Sequence, residues 1–112
     1  MAETSYQLLR SVSGTFVTAT LTLELRNGGL TQWRVKLMNT STTSTTSTKC
    51  TVYRGARNQI DFTRSGNGDT SVADVNISPG EFLTIVYANG SIGAIATFTI
   101  EGEEVARGRR AY

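Results

Sequence analysis

From position 17 to position 25 the chain reads Val17-Thr18-Ala19-Thr20-Leu21-Thr22-Leu23-Glu24-Leu25, apolar at every odd position and polar at every even one. A strand points successive side chains to opposite faces, so this pattern predicts a strand with one face on a core and the other in water. Arg26-Asn27-Gly28-Gly29 follows, made of residues that tolerate positive φ, and predicts a hairpin or a tight connection. Trp33, Val35 and Leu37 then alternate with Arg34 and Lys36, which predicts a second strand with its indole turned inward.

Further along, Cys50-Thr51-Val52-Tyr53 and Ile60-Asp61-Phe62-Thr63 read as short strands, closed by Arg54-Gly55-Ala56-Arg57-Asn58 and Ser65-Gly66-Asn67-Gly68-Asp69. Residues 72–77 put Ala73, Val75 and Ile77 on one side, and Ser78-Pro79-Gly80-Glu81 makes a turn in which proline presets φ. Residues 82–87 are nearly all apolar, as in a strand covered on both faces. Asn89-Gly90 turns the chain again, and Ala94, Ala96, Phe98 and Ile100 alternate through the last strand. Seven or eight strands at short spacing, with no helical period, predict an all-β fold: an antiparallel β-sandwich, Ig-like or jelly-roll-like, with a small closed barrel as the alternative.

With 112 residues the chain forms one domain, able to remove very roughly two thirds of its unfolded surface from water. The sandwich is expected over residues 14–102, with Trp33, Leu21, Leu23, Val52, Ile85 and Phe98 in its core. Each should contribute about 1.5–3 kcal/mol by burial before entropy is charged. Residues 1–13, with Tyr6, Leu8 and Leu9, add an edge strand or form an arm that packs on a neighbour. Residues 103–112 read as a polar tail, in which Arg107, Arg109 and Arg110 follow an acidic stretch and Tyr112 ends the chain. That tail is either solvated or docks on an acidic neighbour. Residues 39–48 are almost entirely Ser and Thr, and with nothing apolar to bury they predict a mobile loop, or one ordered by a neighbouring subunit.

Charge and chemistry narrow the functional classes. Eleven basic against nine acidic residues leave a net charge of +2, spread along the chain, which supplies no extended positive surface for a nucleic acid backbone. No segment has the ~18 apolar residues of a membrane span, and the first residues lack a secretory pattern, so synthesis in a cytoplasm is expected. Cys50 is the only cysteine, which excludes an intrachain disulfide, and its parity with Val52 makes it a small core residue. The chain has no histidine, the commonest general base and zinc ligand, and no glycine-rich phosphate loop opening a helix. It is therefore read as a non-enzyme without cofactor. Asp61, Asp69 and Asp74 with Asn67 could supply oxygen ligands to calcium, but their spacing matches no known calcium loop and such residues are ordinary in turns, so no metal site is assigned. Glycan binding is the rival from another class, with Phe16 and Tyr53 as the outward aromatics.

The order Trp33-Arg-Val-Lys-Leu, Cys50-Thr-Val-Tyr-Arg-Gly, Ile60-Asp-Phe-Thr-Arg-Ser-Gly-Asn-Gly-Asp-Thr-Ser, Pro79-Gly-Glu-Phe-Leu-Thr-Ile-Val-Tyr and Gly93-Ala-Ile-Ala-Thr-Phe-Thr-Ile-Glu-Gly resembles small β-sandwich modules in virion proteins of tailed bacteriophages, particularly those infecting actinobacteria. The likeness spans about residues 16–102, with Tyr87 standing where many relatives would carry tryptophan. It implies a structural role in the virion: a capsid decoration or minor capsid protein that binds the assembled shell as a homo-oligomer. The alternative is a carbohydrate- or receptor-binding module of a tail or fibre. Partners would be other copies of the chain and the major capsid protein or a tail protein. Contacts are expected at Tyr6, Leu8, Leu9, Phe16, Tyr53, Arg107, Arg109, Arg110 and Tyr112.

Overall fold

The computed structural model describes the backbone of residues 3–56 and 58–107, and side chains over residues 4–56 and 65–106. Eight strands run in the order β1 (Glu3–Thr15), β2 (Leu21–Arg26), β3 (Gln32–Thr42), β4 (Lys49–Arg54), β5 (Asn58–Ser65), β6 (Thr70–Ile77), β7 (Phe82–Ala88) and β8 (Ile95–Arg107). They form two antiparallel four-stranded sheets, β1-β8-β3-β6 and β2-β7-β4-β5. The fold is an all-β sandwich, and this strand order is that of a jelly roll, in which nearly every connection crosses from one sheet to the other. Only β4 and β5 are joined as a local hairpin. The turn after β2 is accordingly a tight inter-sheet connection and not a hairpin.

The alternating strand predicted from position 17 begins only at Leu21; Leu23 and Leu25 enter the core while Val17 and Ala19 lie exposed in a bend. Phe16 is the cause. Its N–H donates to the Ala94 carbonyl, its own carbonyl accepts from Gly93, and Gly90 donates to Ala19. These bonds turn the ring inward, where it meets Tyr87 edge-on at 6.3 Å between centroids and closes one end of the sandwich. A Cβ on Gly90 would lie 2.2 Å from that ring, so the close approach requires glycine.

β3 holds a second departure from simple alternation. Its register shifts against both neighbours between Val35 and Leu37, in opposite senses: against β8 the extra residue is Lys36 on β3, and against β6 the extra residue lies on β6 between Val72 and Val75. Trp33 and Val35 face the core before the bulge; Met38, Thr40 and Thr42 face it afterwards, and Leu37 turns outward, half-buried. β7 is also covered differently from its composition. Leu83, Ile85 and Tyr87 are buried, whereas Phe82, Thr84, Val86 and Ala88 stay half-exposed on the outer face. β7 lies between β2 and β4, and the side chains of those neighbours shield it without a covering layer. On β6, Ala73, Val75 and Ile77 do share the inner face.

Polar networks close both ends. At one, buried Asn27 donates its amide to the Thr31 and Ile77 carbonyls at 2.8 and 2.9 Å, while its main chain bonds Glu81 and Gly80. Glu81 in turn accepts the Ser78 N–H, the main reason its carboxyl sits below its ordinary pKa. At the other end lies the Ser/Thr run. Its first part is strand: Thr40 is buried and donates to the Ser65 carbonyl at 2.9 Å, and Thr42 N–H donates to Asn67 Oδ1.

Residues 43–48 are tied to the connection between β7 and β8 by hydrogen bonds within the chain. Thr43 N–H donates to the Ile95 carbonyl and its Oγ1 accepts the Ile95 N–H. Ser44 Oγ meets Ser91 Oγ at 3.0 Å, Thr46 Oγ1 donates to the Asn89 carbonyl, and Asn89 donates to Ser47. Hydroxyls substitute for apolar burial here by tying one loop to another. Asn89 adopts a left-handed φ of 63° to make the turn.

Candidate functional site

Cys50 and Asp69, both weighed in the sequence for chemistry, are absorbed into the fold. Cys50 is fully buried on β4, next to the Tyr87 hydroxyl, which donates to the Thr97 carbonyl at 2.9 Å. Burial pushes the Cys50 thiol from its ordinary 9.0 up to about 12, and it raises the Tyr87 phenol as well. The thiol is therefore protonated at neutral pH and weakly nucleophilic. Between pH 9 and 12 the unfolded chain releases the Cys50 proton while the folded chain keeps it, so stability falls as pH rises through that interval. Denaturant midpoints should be level up to about pH 8 and then decline. Cys50 should resist alkylation at pH 8 until the chain is unfolded. A native thiol that reacts as fast as a free one would contradict this burial.

Asp69 accepts the Ser65 N–H with its carboxylate, and Asn67 Oδ1 accepts from Thr42, so both serve the turn after β5. Asp74 is exposed on β6, and the side chain of Asp61 lies outside the described residues. A shallow hollow of about 260 Å³ among the described residues is lined by Leu30, Gln32, Pro79 and Val105. That is below the roughly 300–1,000 Å³ of pockets that enclose small ligands.

What remains is surface. Register assigns the outer face of the β1-β8-β3-β6 sheet in rows: Ser13, Thr97 and Ser41; Ser11, Thr99, Asn39 and Thr70; Leu9, Glu101, Leu37 and Val72. Asn39 donates to Glu101 at 3.0 Å and accepts from Thr70, which fixes part of this face as a hydrogen-bonded layer. Leu9 and Val72 stand out from it, 56% and 83% exposed.

On the opposite sheet the outer face carries Tyr53, half-exposed and paired with Thr84. Two residues before Thr84 stands Phe82, with the Arg26 guanidinium 4.6 Å from its ring centroid. Arg26 is in turn held by Glu24 at 3.2 Å and by the Gly80 carbonyl. Phe82 is a surface aromatic that sequence reading placed under cover, because an apolar run does not distinguish a doubly covered strand from one shielded by its neighbours.

The expected contact residues divide accordingly. Tyr6 and Leu9 are exposed on β1, and Tyr53 is half-exposed. Leu8 and Phe16 are not surface residues: Leu8 alternates inward on β1 and is fully buried, and Phe16 plugs the sandwich end. Residues 103–107, read as part of a tail, continue β8, paired with β3 as far as Val105 and with β1 as far as Arg107. The Arg107 side chain, and Arg109, Arg110 and Tyr112 entirely, lie outside the described residues.

At the far end of this sheet the inward-facing side chains of β1 and β8 form a small cluster. Arg10 lies 5.7 Å from the Trp33 ring centroid and pairs with Glu104 at 2.9 Å; Thr31 donates to the same carboxylate at 3.0 Å. Beyond it, residues 4–7 are exposed on both faces, so Tyr6 has inward parity without a layer to cover it. The molecule is correspondingly long, 56 × 21 × 21 Å. No helix among the described residues is long and apolar enough to cross a membrane. Comparison with protein-family models, with curated proteins and with solved structures returns no match to this chain.

Proposed function

We propose that this chain is a structural virion protein of a tailed bacteriophage, a capsid decoration or minor capsid protein that binds the assembled shell as a homo-oligomer and catalyses no reaction. The observation that carries the reading is a single jelly roll whose polar ends are stitched shut and whose open features are a long sheet edge and two broad outer faces. Jelly rolls of this kind serve in viral capsids and in lectins, an analogy at the level of fold that joins the sequence resemblance to virion modules. A shell component works by area and repetition: a rigid block with flat faces meets a lattice of identical sites, and each weak contact is multiplied by neighbouring copies.

Purified shells lacking the protein test this reading. The chain should co-sediment with them to saturation and show no binding on a glycan array. The aromatic pair on the second sheet supports the alternative, a glycan- or receptor-binding module of a tail or fibre, since half-exposed Phe82 and Tyr53 beside Arg26 could stack on a sugar ring. In that case the array is positive, Phe82→Ala abolishes its signal, and shells are ignored.

A further inference from the structure

We propose that two copies of this chain pair antiparallel through the free edges of β1, on a two-fold axis at Leu9, joining two four-stranded sheets into one continuous sheet. The inference deepens the proposed role by naming the surface through which the chain meets a second copy. β1 has β8 on one side and no partner strand on the other among the described residues. At 13 residues it is about twice the usual strand length, and it follows β8 without a register shift. Exposed edges of that length are normally blunted by lysine, proline, a bulge or a charge pointing along the sheet. β1 has neither lysine nor proline, and its one basic residue, Arg10, pairs with Glu104, lies over Trp33 and donates to the Leu9 carbonyl at 3.1 Å, a bond that pairing across the axis would replace. The other edges are shorter and less regular: β2 has six residues with Glu24 among them, and β5 and β6 each have eight and border a register shift.

The β1 sequence is complementary to its own reverse. Leu9 is the midpoint of Glu3–Thr15, so an axis there pairs the strand over its full length. On the outer face Leu9 meets Leu9 of the second copy, Gln7 meets Ser11, and Ser5 meets Ser13, which are small or uncharged pairs throughout. On the inner face Tyr6 lies opposite Val12, Leu8 opposite Arg10 and Thr4 opposite Gly14, so no like charges face each other. The pairing also covers Leu9 and Tyr6, the two large apolar side chains that β1 leaves 56% exposed. Main-chain hydrogen bonds supply the affinity and the Leu9 pair sets the register.

Sedimentation of the full chain across a dilution series should show a dimer. Leu9→Lys sets two ammonium groups against each other on the axis and should give a monomer with an unchanged circular dichroism spectrum. Val72→Lys, on the opposite edge strand of the same sheet, should remain dimeric. Under mild oxidation Leu9→Cys should form a covalent dimer, because the axis brings that position onto itself, whereas Ser13→Cys faces Ser5 and should not; the buried Cys50 thiol stays out of the reaction. A wild-type chain that is monomeric at every concentration overturns the proposal. So does a dimer that survives Leu9→Lys and fails to cross-link through Leu9→Cys, or an open polymer of edge-to-edge copies. A monomer that still coats shells refutes the edge pairing alone, and a dimer that ignores shells refutes the virion role alone.

Discussion

Trp33→Ala should lower the melting temperature of the domain by at least about 15 °C, or leave it unfolded at room temperature. The indole is 4% exposed, faces Ile77 across the β3–β6 pair, and lies beneath the Arg10 guanidinium that Glu104 holds in place. Removing it takes away the transfer energy of a large aromatic and leaves a cavity that the bulged strand cannot close, a loss of about 3–5 kcal/mol. A domain of this size typically has only 5–15 kcal/mol of net stability, and each kcal/mol corresponds to roughly 4–8 °C. Thermal melts followed by far-ultraviolet circular dichroism measure the effect. A variant that melts like the wild type and loses only partner binding would make Trp33 a surface anchor and refute its place in the core.

Gly102→Ala should be comparably damaging, for a backbone reason. Gly102 sits in β8 between Leu8 on one side and Val35 on the other, beside the bulge in β3. A Cβ there would fall 1.9 Å from the Arg34 carbonyl oxygen and 3.0 Å from the Lys36 nitrogen. Those atoms belong to the central ladder of the sheet and cannot yield as the end of a flexible side chain could. The expected cost is at least ~3 kcal/mol, the upper part of the range for overpacked interiors. Gly28→Ala is the control, since no atom lies within 4 Å of that position's Cβ and its change should stay within about 0.5 kcal/mol. Equal denaturation midpoints for the two variants would mean that the bulge does not approach β8 as closely as described.

Alternation revealed which faces of most strands are buried, because period two is a direct consequence of strand geometry and of one-sided burial. Leu23, Leu25, Val52, Ile77, Ala96, Phe98 and Ile100 all lie where their parity puts them. Parity failed where the backbone inserts a residue or bends. The bulge at Lys36 exchanges the roles of Leu37 and Met38, and the hydrogen-bonded bend after β1 carries Phe16 inward and Val17 outward. Neither leaves a trace in hydropathy. The Ser/Thr run is legible only in part for a related reason: low apolarity marks a segment that cannot pack by burial, but it is silent on hydroxyls that bond another loop, as Ser44 does with Ser91.

Strand neighbours were less accessible than faces. The pairing of β1 with β8 joins residues nearly a whole chain apart, and alternation reports which side of a strand is apolar without reporting what lies beside it. The candidate surfaces inherit that blindness. Tyr53 is legible as outward from parity, whereas Tyr6 and Leu9 stand out only by their place near the chain start, together with Leu8, which is buried. The Leu9-Glu101-Leu37-Val72 row exists only through the register of four strands, and Phe82 emerges only once β7 is seen to lack a covering layer. The same topology explains why the ends are polar: with connections crossing between sheets at both ends, buried backbone groups there need partners, and Asn27 at one end and Thr40 at the other supply them.

The central claim is that this jelly roll works by holding onto an assembled shell. Cryo-electron microscopy of particles prepared with and without the protein tests it most directly. The account predicts a difference density of about 56 × 21 × 21 Å per copy, repeated at equivalent positions on the outer shell, into which the two packed sheets fit. Shells that look identical in the two preparations, with the added density absent or confined to the tail, would contradict it.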